Sequence, residues 1–115
     1  MSEINQLTKR ILDFINDRDW NQFHNPKDLA LSLVLESAEV MEHFQWKNNE
    51  EMQKYIESNK SEIAEELADV LYWVLLMSHD LNIDIKKAFE SKMIKNEEKY
   101  PANKSKGKHD KYNKL

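Results

Sequence analysis

Apolar residues recur every three or four positions along most of this chain, the spacing of one helix face rather than of a strand. In the first segment with this pattern the apolar residues are Ile4, Leu7, Ile11, Phe14 and Ile15. Ser2 stands just before the pattern, where its hydroxyl can cap the amino end of a helix. The pattern therefore predicts an amphipathic first helix.

A second helix is predicted to begin at Asn25-Pro26-Lys27-Asp28 and to run to about Phe44. Its start combines a capping asparagine, a proline in the first turn and an acid near the positive end of the helix dipole. Its main apolar stripe consists of Leu29, Leu33, Val34, Val40, Met41 and Phe44. Leu31 and Leu35 lie on the other side, so this helix is predicted to be buried nearly all round.

Residues 45–58 form a polar connection in which Asn49 is placed to cap a short helix. A third helix is then predicted from Asn59 or Ser61 to about Leu81. Between Leu67 and Met77 its apolar residues point in every direction. Because one short chain supplies too few helices to cover two helices on all sides, the pattern predicts a homo-oligomer.

Asp84 is placed to cap a fourth helix, which Tyr100-Pro101 ends. The residues of this helix predicted to face inward are Ile85, Ala88, Phe89 and Met93. We therefore expect an all-α bundle of four to five helices over residues 1–101 and a lysine-rich, mobile tail over residues 102–115. The tail is either solvated or folded over a phosphate-bearing ligand.

Composition supports the helical interpretation and narrows the class of protein. One glycine and two prolines leave little of the turn chemistry that hairpins need. The formal charge of −4 has the wrong sign for coating nucleic acid. The absence of cysteine fits a reducing cytosol, and the longest apolar run, 70–77, is far shorter than the roughly 18 to 20 residues of a membrane span. We expect a cytoplasmic protein that binds neither nucleic acid nor membranes.

Two acidic pairs lie in the middle of the two most apolar helices, Glu36-x-x-Glu39 and Glu66-x-x-Asp69. Carboxylates three residues apart share a helix face, and burying them is unfavourable unless a cation or hydrogen-bond donors compensate them. Hard oxygen ligands of this kind suit Mg²⁺ or Mn²⁺. A di-iron centre, a zinc protease motif, a phosphate-binding glycine loop and a nucleophilic serine elbow all lack their sequence signatures. A solvated acidic face is the alternative.

Aromatic and basic residues supply further candidates, each with an ordinary structural alternative. Trp20 and Phe23 sit in a polar stretch, where they either plug the core beneath a loop or stack on a ligand. Trp46 and Trp73 are either core residues or walls of a base pocket. Lys92, Asn96 and Lys99 share one face of the fourth helix, and this face either binds phosphate or is only solvated.

The combined motifs resemble the MazG-like superfamily of all-α nucleoside triphosphate pyrophosphohydrolases, and more narrowly its dCTP pyrophosphatase branch. The matching segments are Arg18-Asp19-Trp20-x-Gln22-Phe23-His24-x-Pro26, Glu36-x-x-Glu39, Phe44-Gln45-Trp46-Lys47, Glu65-Glu66-Leu67-x-Asp69-Val70-Leu71, Lys92-Met93-x-x-Asn96-x-x-Lys99-Tyr100-Pro101 and Lys111-Tyr112. Together, in this order, they are far more specific than the carboxylate spacing alone.

The resemblance implies a homodimer or homotetramer that hydrolyses a deoxynucleoside triphosphate between its α and β phosphates, with Mg²⁺ as cofactor. It assigns metal and catalytic roles to Glu36, Glu39, Glu66 and Asp69, with Glu36 assisting the attacking water and Glu62 as an outer acid. It assigns substrate contacts to Trp20, Trp46, Trp73, Lys92, Asn96, Lys99 and Tyr100.

Two positions depart from the branch and concern the base. Ile11 stands where the first helix can carry a histidine that reaches the base, and Trp73 stands where a tyrosine is usual. The reaction class is unaffected, and cytosine or a modified cytosine is the first expectation for the base. The alternatives from other classes are a non-catalytic helical oligomerisation module and a nucleotide sensor that binds without turnover.

Overall fold

The computed structural model describes residues 1–109, which fold as α-helices joined by short turns. The helices are α1 (Glu3–Asp17), a 3₁₀ turn (Asn21–Phe23), α2 (Pro26–Glu42), α3 (Asn49–Asp80), α4 (Ile85–Lys99) and a short α5 (Ala102–Ser105). No strand occurs within residues 1–109. The chain divides after Asn82 into two compact units, each considered by itself below. The Lys111-Tyr112 motif and the end of the predicted tail lie outside the described residues.

Three of the predicted helix starts are confirmed by the capping hydrogen bonds. The Ser2 hydroxyl accepts from the Asn5 amide at 3.1 Å, and the Asn25 side chain accepts from the Asp28 amide at 2.9 Å. The Asp84 carboxylate accepts from the Lys87 amide at 3.1 Å. Each cap satisfies a backbone donor that the helix itself leaves unpaired.

The third helix begins earlier than its sequence pattern predicts. Asn48, not Asn49, caps α3, and its reciprocal bonds with Glu51 form a capping box. The helix then continues through Asn59, where φ −125° and ψ 24° interrupt the helical geometry without reversing the chain. The Asn59 side chain donates to the Tyr55 carbonyl at 3.0 Å. The predicted short helix and the predicted third helix are therefore two stretches of α3 that meet at Asn59 in a kink rather than a turn.

The core of the first unit forms where α1 and α2 pack against the carboxyl half of α3. Ile15, Leu29 and Leu76 are at most 1% exposed. Burying a side chain of this size contributes about 1.5 to 3 kcal/mol. Partly buried residues that pack around this cluster are Ile11, Leu12, Tyr72, Trp73 and Met77.

A single chain does not provide the predicted all-round burial of α2 and α3. Leu31, Val34 and Leu35 on α2 are 54%, 63% and 56% exposed, and Leu67 on α3 is 54% exposed. One chain therefore covers only one side of these helices. On α4, the predicted inward residues Phe89 and Met93 are 65% and 41% exposed. No helix among the described residues is both long enough and apolar enough to cross a membrane.

Candidate functional site

Three glutamates converge where α2 packs on α3. Glu36 and Glu39 come from the middle of α2 and Glu66 from the facing part of α3. One carboxylate oxygen from each lies within 4.8 Å of those of the other two. We call these three residues the acidic cluster; its geometry could hold a metal ion. The convergence follows from the helical spacing on α2 and from the packing of α2 against α3.

Two acids of this cluster, Glu36 and Glu66, have raised pKa values because burial and neighbouring carboxylates disfavour their charged forms. The pKa of Glu66 is raised to about 7, chiefly by a hydrogen bond with Glu39, then by burial and by repulsion from Glu39, Asp69 and Glu36. The pKa of Glu36 is raised mainly by burial, with further contributions from Glu39 and Asp69. A hydrogen bond from the Trp73 side chain opposes the shift at Glu36. No basic residue among 1–109 offsets either shift.

Two buried oxygens of the cluster have no hydrogen-bond partner. They are Oε2 of Glu36 and Oε2 of Glu66. Leaving a buried acceptor unpaired is unfavourable by about 1 to 3 kcal/mol, and more when the group is charged. A cation seated among the carboxylates would satisfy both oxygens and relieve the repulsion. The donor set consists only of carboxylate oxygens, which fits a hard cation such as Mg²⁺ or Mn²⁺.

Asp69, the fourth predicted ligand, lies at the edge of the cluster. It is exposed and stands outside the group of three, yet its charge raises the pKa values of Glu36 and Glu66. Glu62 is also exposed, and its carboxylate accepts a hydrogen bond from Ser61 at 3.3 Å. The structure therefore brings three of the four predicted ligands together and leaves the fourth close enough to act electrostatically.

Trp73 connects the acidic cluster with the loop after α1. The side chain is half-buried, hydrogen-bonds to Glu36, and stands edge-on to Tyr72 at 4.9 Å between ring centroids. His24 makes a second edge contact with it at 6.4 Å. The Nδ1 atom of His24 is buried without a partner. Only the sequence motif around Trp20 pointed to His24, and helical periodicity carried no signal for it.

Trp20 packs on α1 and lies apart from the acidic cluster. Its ring meets Phe14 edge-on at 5.5 Å, and the Arg18 guanidinium lies 3.9 Å from the Phe14 centroid and 5.9 Å from that of Trp20. Trp20 nevertheless remains 43% exposed. The ring therefore covers the end of α1 and keeps part of its surface exposed, and stacking on a ligand stays a prediction.

Trp46 is held out into solvent on the turn between α2 and α3. It has a positive φ of 70° and is 90% exposed, which excludes the core alternative within a single chain. The base of the turn is fixed by a hydrogen bond of 2.5 Å between His43 and Tyr55. The Lys47 ammonium lies 4.2 Å from the Tyr55 ring centroid. An anchored turn thus presents an unpacked tryptophan.

The four substrate-contact residues predicted on α4 belong to the second unit. Lys92 is exposed, whereas Asn96 is half-buried and its carbonyl accepts from the Tyr100 amide at 2.8 Å. Tyr100 is 38% exposed. Lys92, Asn96 and Lys99 recur at helical spacing, so the predicted shared face follows from the geometry of α4.

A cavity of about 560 Å³ lies between α1 and α3, next to the acidic cluster. Its lining is mostly apolar and consists of Leu7, Arg10, Ile11, Phe14, Ala68, Asp69, Leu71, Tyr72 and Leu75. Asp69 belongs to this wall and also acts on the cluster. The first unit therefore joins a carboxylate-rich centre to an apolar cleft, which is the usual composition of a small-molecule site.

Comparison with known proteins identifies the class to which this arrangement belongs. The model of the MazG-like family matches residues 31–115. The chain is a member of the MazG-like family. This result confirms the relationship inferred from the motifs, and the all-helical fold agrees with it.

Curated relatives and a solved structure narrow the comparison. The chain is 38% identical to dCTP pyrophosphatase 1 of Rattus norvegicus and 37% identical to that of Homo sapiens, over 90% of its length in each case. It spans 62% of the length of these relatives. A crystal structure of a pyrophosphatase from Archaeoglobus fulgidus superposes with a TM-score of 0.82 at 37% identity, covering 88% of this chain and 94% of that one.

Proposed function

We propose that this chain is a pyrophosphohydrolase of deoxynucleoside triphosphates, acting most readily on dCTP or a modified dCTP. The products are the deoxynucleoside monophosphate and pyrophosphate, and the role is to clear such nucleotides from the pool. The observation that carries the proposal is the acidic cluster, with unpartnered buried oxygens on Glu36 and Glu66. The names of the relatives, dCTP pyrophosphatase and pyrophosphatase, support the same reaction.

Mg²⁺ is the proposed cofactor, with Mn²⁺ able to substitute, and Glu36, Glu39, Glu66 and Asp69 would hold it. Bound there, the ion would supply charge to neutralise phosphate oxygens and would lower the pKa of a nearby water. A carboxylate of the chain would receive the proton of the attacking water as the water oxygen bonds to the α phosphorus and the bond to the β phosphate breaks. The pKa of Glu66, about 7, suits this carboxylate to accept a proton near neutral pH, and the pKa of Glu36 is raised in the same direction.

The remaining predicted residues are proposed to contact the substrate. Trp20 and Trp46 each present exposed ring surface for stacking, and Trp73 is positioned beside the acidic cluster. The face of α4 carries the proposed phosphate and sugar contacts, Lys92, Asn96, Lys99 and Tyr100. Residues 1–101 are the proposed catalytic domain, and residues 102–115 a separate tail.

We also propose a homodimer or homotetramer. The support is the large exposed apolar area on α2 and α3, which includes Leu31, Val34 and Leu67. A second copy of the chain would bury these side chains and complete the helical bundle. Nucleic acid and membranes are not proposed partners, because the net charge is −4 and no described helix is suited to span a membrane.

The test is product analysis for a panel of deoxynucleoside triphosphates, each incubated with Mg²⁺ and with chelator. Equimolar dCMP and pyrophosphate from dCTP, formed only with Mg²⁺, is the expected result. Release of inorganic phosphate instead of pyrophosphate would contradict the assigned bond. No product from any nucleotide, with the protein folded, would favour a sensor if nucleotides stabilise the fold, and an oligomerisation module if they do not.

A further inference from the structure

We propose that Arg10 reads the base of the substrate, selecting cytosine over uracil and thymine from the wall of the cavity between α1 and α3. The inference rests on the proposed function and names a residue that sets its specificity.

The place of the cavity defines which part of a nucleotide it can receive. Asp69 is shared between the cavity wall and the edge of the acidic cluster. A nucleotide whose phosphates approach the cluster therefore has its nucleoside next to this opening. The volume of about 560 Å³ is within the ordinary range for small-molecule sites. Phe14 from α1 and Tyr72 from α3 stand edge-on at 6.4 Å, so each of the two walls offers an aromatic ring to a flat base.

The polar side chains of the lining are Arg10, Asp69 and Tyr72, and Arg10 is the one cation among them. The α1 wall is Leu7, Arg10, Ile11 and Phe14, and Ile11 offers no hydrogen bond to a base. Asp69 is the other charged group of the lining, and it stands on the side of the acidic cluster. Arg10 is thus the cationic donor of the described cavity.

The guanidinium of Arg10 is free to bind a ligand. No hydrogen bond or ion pair engages its side chain within residues 1–109. Two other basic residues of this region are engaged: Lys9 bonds to Asp13 at 2.7 Å, and Arg18, just after α1, donates to the Phe14 carbonyl at 3.0 Å. Removing Arg10 therefore takes away a potential ligand contact without breaking one that holds the fold.

The chemistry of an arginine distinguishes among the pyrimidines. A guanidinium only donates hydrogen bonds, and it binds best where two acceptors lie side by side. Cytosine presents its N3 and O2 atoms as adjacent acceptors. Uracil and thymine carry a hydrogen on N3, which meets the guanidinium as a second donor. One arginine at this wall therefore favours cytosine among bases of equal size, and a 5-methyl group does not change the pattern.

The decisive variant is Arg10→Met, which keeps the apolar stem and removes the donors. The matched control is Lys9→Met, on the adjacent position and outside the cavity lining. We expect Arg10→Met to lower kcat/KM for dCTP by about 10- to 100-fold, mostly through KM, with less than about a threefold change for dUTP. Lys9→Met should leave both ratios unchanged. Calorimetry should show the same selective loss for dCMP against dUMP.

The outcomes separate this inference from the proposed function. If the wild type hydrolyses dCTP and Arg10→Met keeps its preference over dUTP, the role of Arg10 is wrong while the reaction stands. If the wild type hydrolyses nothing, the reaction is wrong, and calorimetry with dCMP and dUMP still decides whether Arg10 selects the base. A wild type that prefers uracil overturns the inference, as does an Arg10→Met variant that changes only the oligomeric state.

Discussion

Helices α2 and α4 both carry polar side chains at helical spacing, but their surroundings differ. On α2, Glu36 and Glu39 face Glu66 of α3, and buried oxygens without partners result. On α4, Lys92 is exposed and Asn96 only half-buried. The same periodicity thus yields a preorganised cluster in the first unit and an accessible basic face in the second. Spacing alone does not separate a site from a solvated stripe; the helix packed against it does.

The acidic cluster and the face of α4 are therefore expected to have different roles. The acidic cluster holds its charges close together at the expense of stability, which a bound cation would recover. The face of α4 carries positive charge that is accessible to an anion. If the proposed function is right, damage to α2 should abolish chemistry, whereas damage to α4 should weaken substrate binding and leave metal binding intact.

The largest expected effect comes from the centre of the cluster. Glu39→Gln should reduce pyrophosphate release more than about 100-fold, beyond the 10- to 100-fold typical of groups that only support metal ligands. The reason is that Glu39 approaches both Glu36 and Glu66. Glu42→Gln, on an exposed part of α2, is the matched control and should keep activity. A folded Glu39→Gln variant with wild-type turnover would remove Glu39 from the centre.

A smaller effect, on metal affinity, is expected when Trp73 beside the acidic cluster is changed. Trp73→Phe removes the hydrogen bond that lowers the pKa of Glu36, so that pKa should rise further. Metal affinity should fall about 10-fold or more, and its pH profile should move to higher pH. The profile is measured by Mn²⁺ titration at several pH values. Trp46→Phe should not move it, and an unmoved profile in Trp73→Phe would show that this bond does not tune the site.

Lys92→Gln tests the proposed phosphate contacts of the α4 face. The loss of one charge-assisted contact should raise KM for dCTP about 10-fold and leave kcat and Mn²⁺ binding near the wild-type values. Lys86→Gln, an exposed lysine in the first turn of α4, is the control. An unchanged KM for Lys92→Gln would show that this face of α4 is only solvated, which is the alternative to phosphate binding.

The smallest effect concerns stability without metal. Because the pKa of Glu66 rises from 4.5 to about 7 on folding, the folded state holds more protons than the unfolded state between these values. The free energy of unfolding should therefore fall as pH increases from about 4.5 to about 7. Melting temperatures with chelator measure this slope. Glu39→Gln should flatten it, whereas an equal slope in the variant would contradict the repulsion described here.

Local signals predicted three of the helix starts and the pairing of Glu36 with Glu39 correctly, because each depends on residues a few positions apart. Ser2, Asn25 and Asp84 cap the next turn, and Glu36 reaches Glu39 along one helix face. Contacts between residues far apart in the sequence have no comparable local pattern. The bond between His43 and Tyr55, the contact of His24 with Trp73, and the cavity beside Arg10 all depend on how helices and loops pack.

The predicted burial of α2 extends beyond what a single chain provides. Leu31 and Leu35 stand on a helix that is apolar on all sides, yet a single chain leaves both exposed. An apolar pattern marks side chains that favour burial and carries no information on which chain covers them. The break at Asn59 is a second example. The sequence pattern marks a helix break there, but whether the chain kinks or turns depends on how the helical stretches before and after Asn59 pack.

The most direct test of the central claim is Mn²⁺ binding by wild-type protein and by Glu39→Gln, followed through the spectrum of the free ion. It should be made above pH 7, where the Glu66 carboxyl is mostly ionised. The account predicts saturable binding by the wild type that Mg²⁺ displaces and that Glu39→Gln loses while remaining folded. Equal binding by both proteins, or none by the wild type, would contradict a metal centre in the acidic cluster.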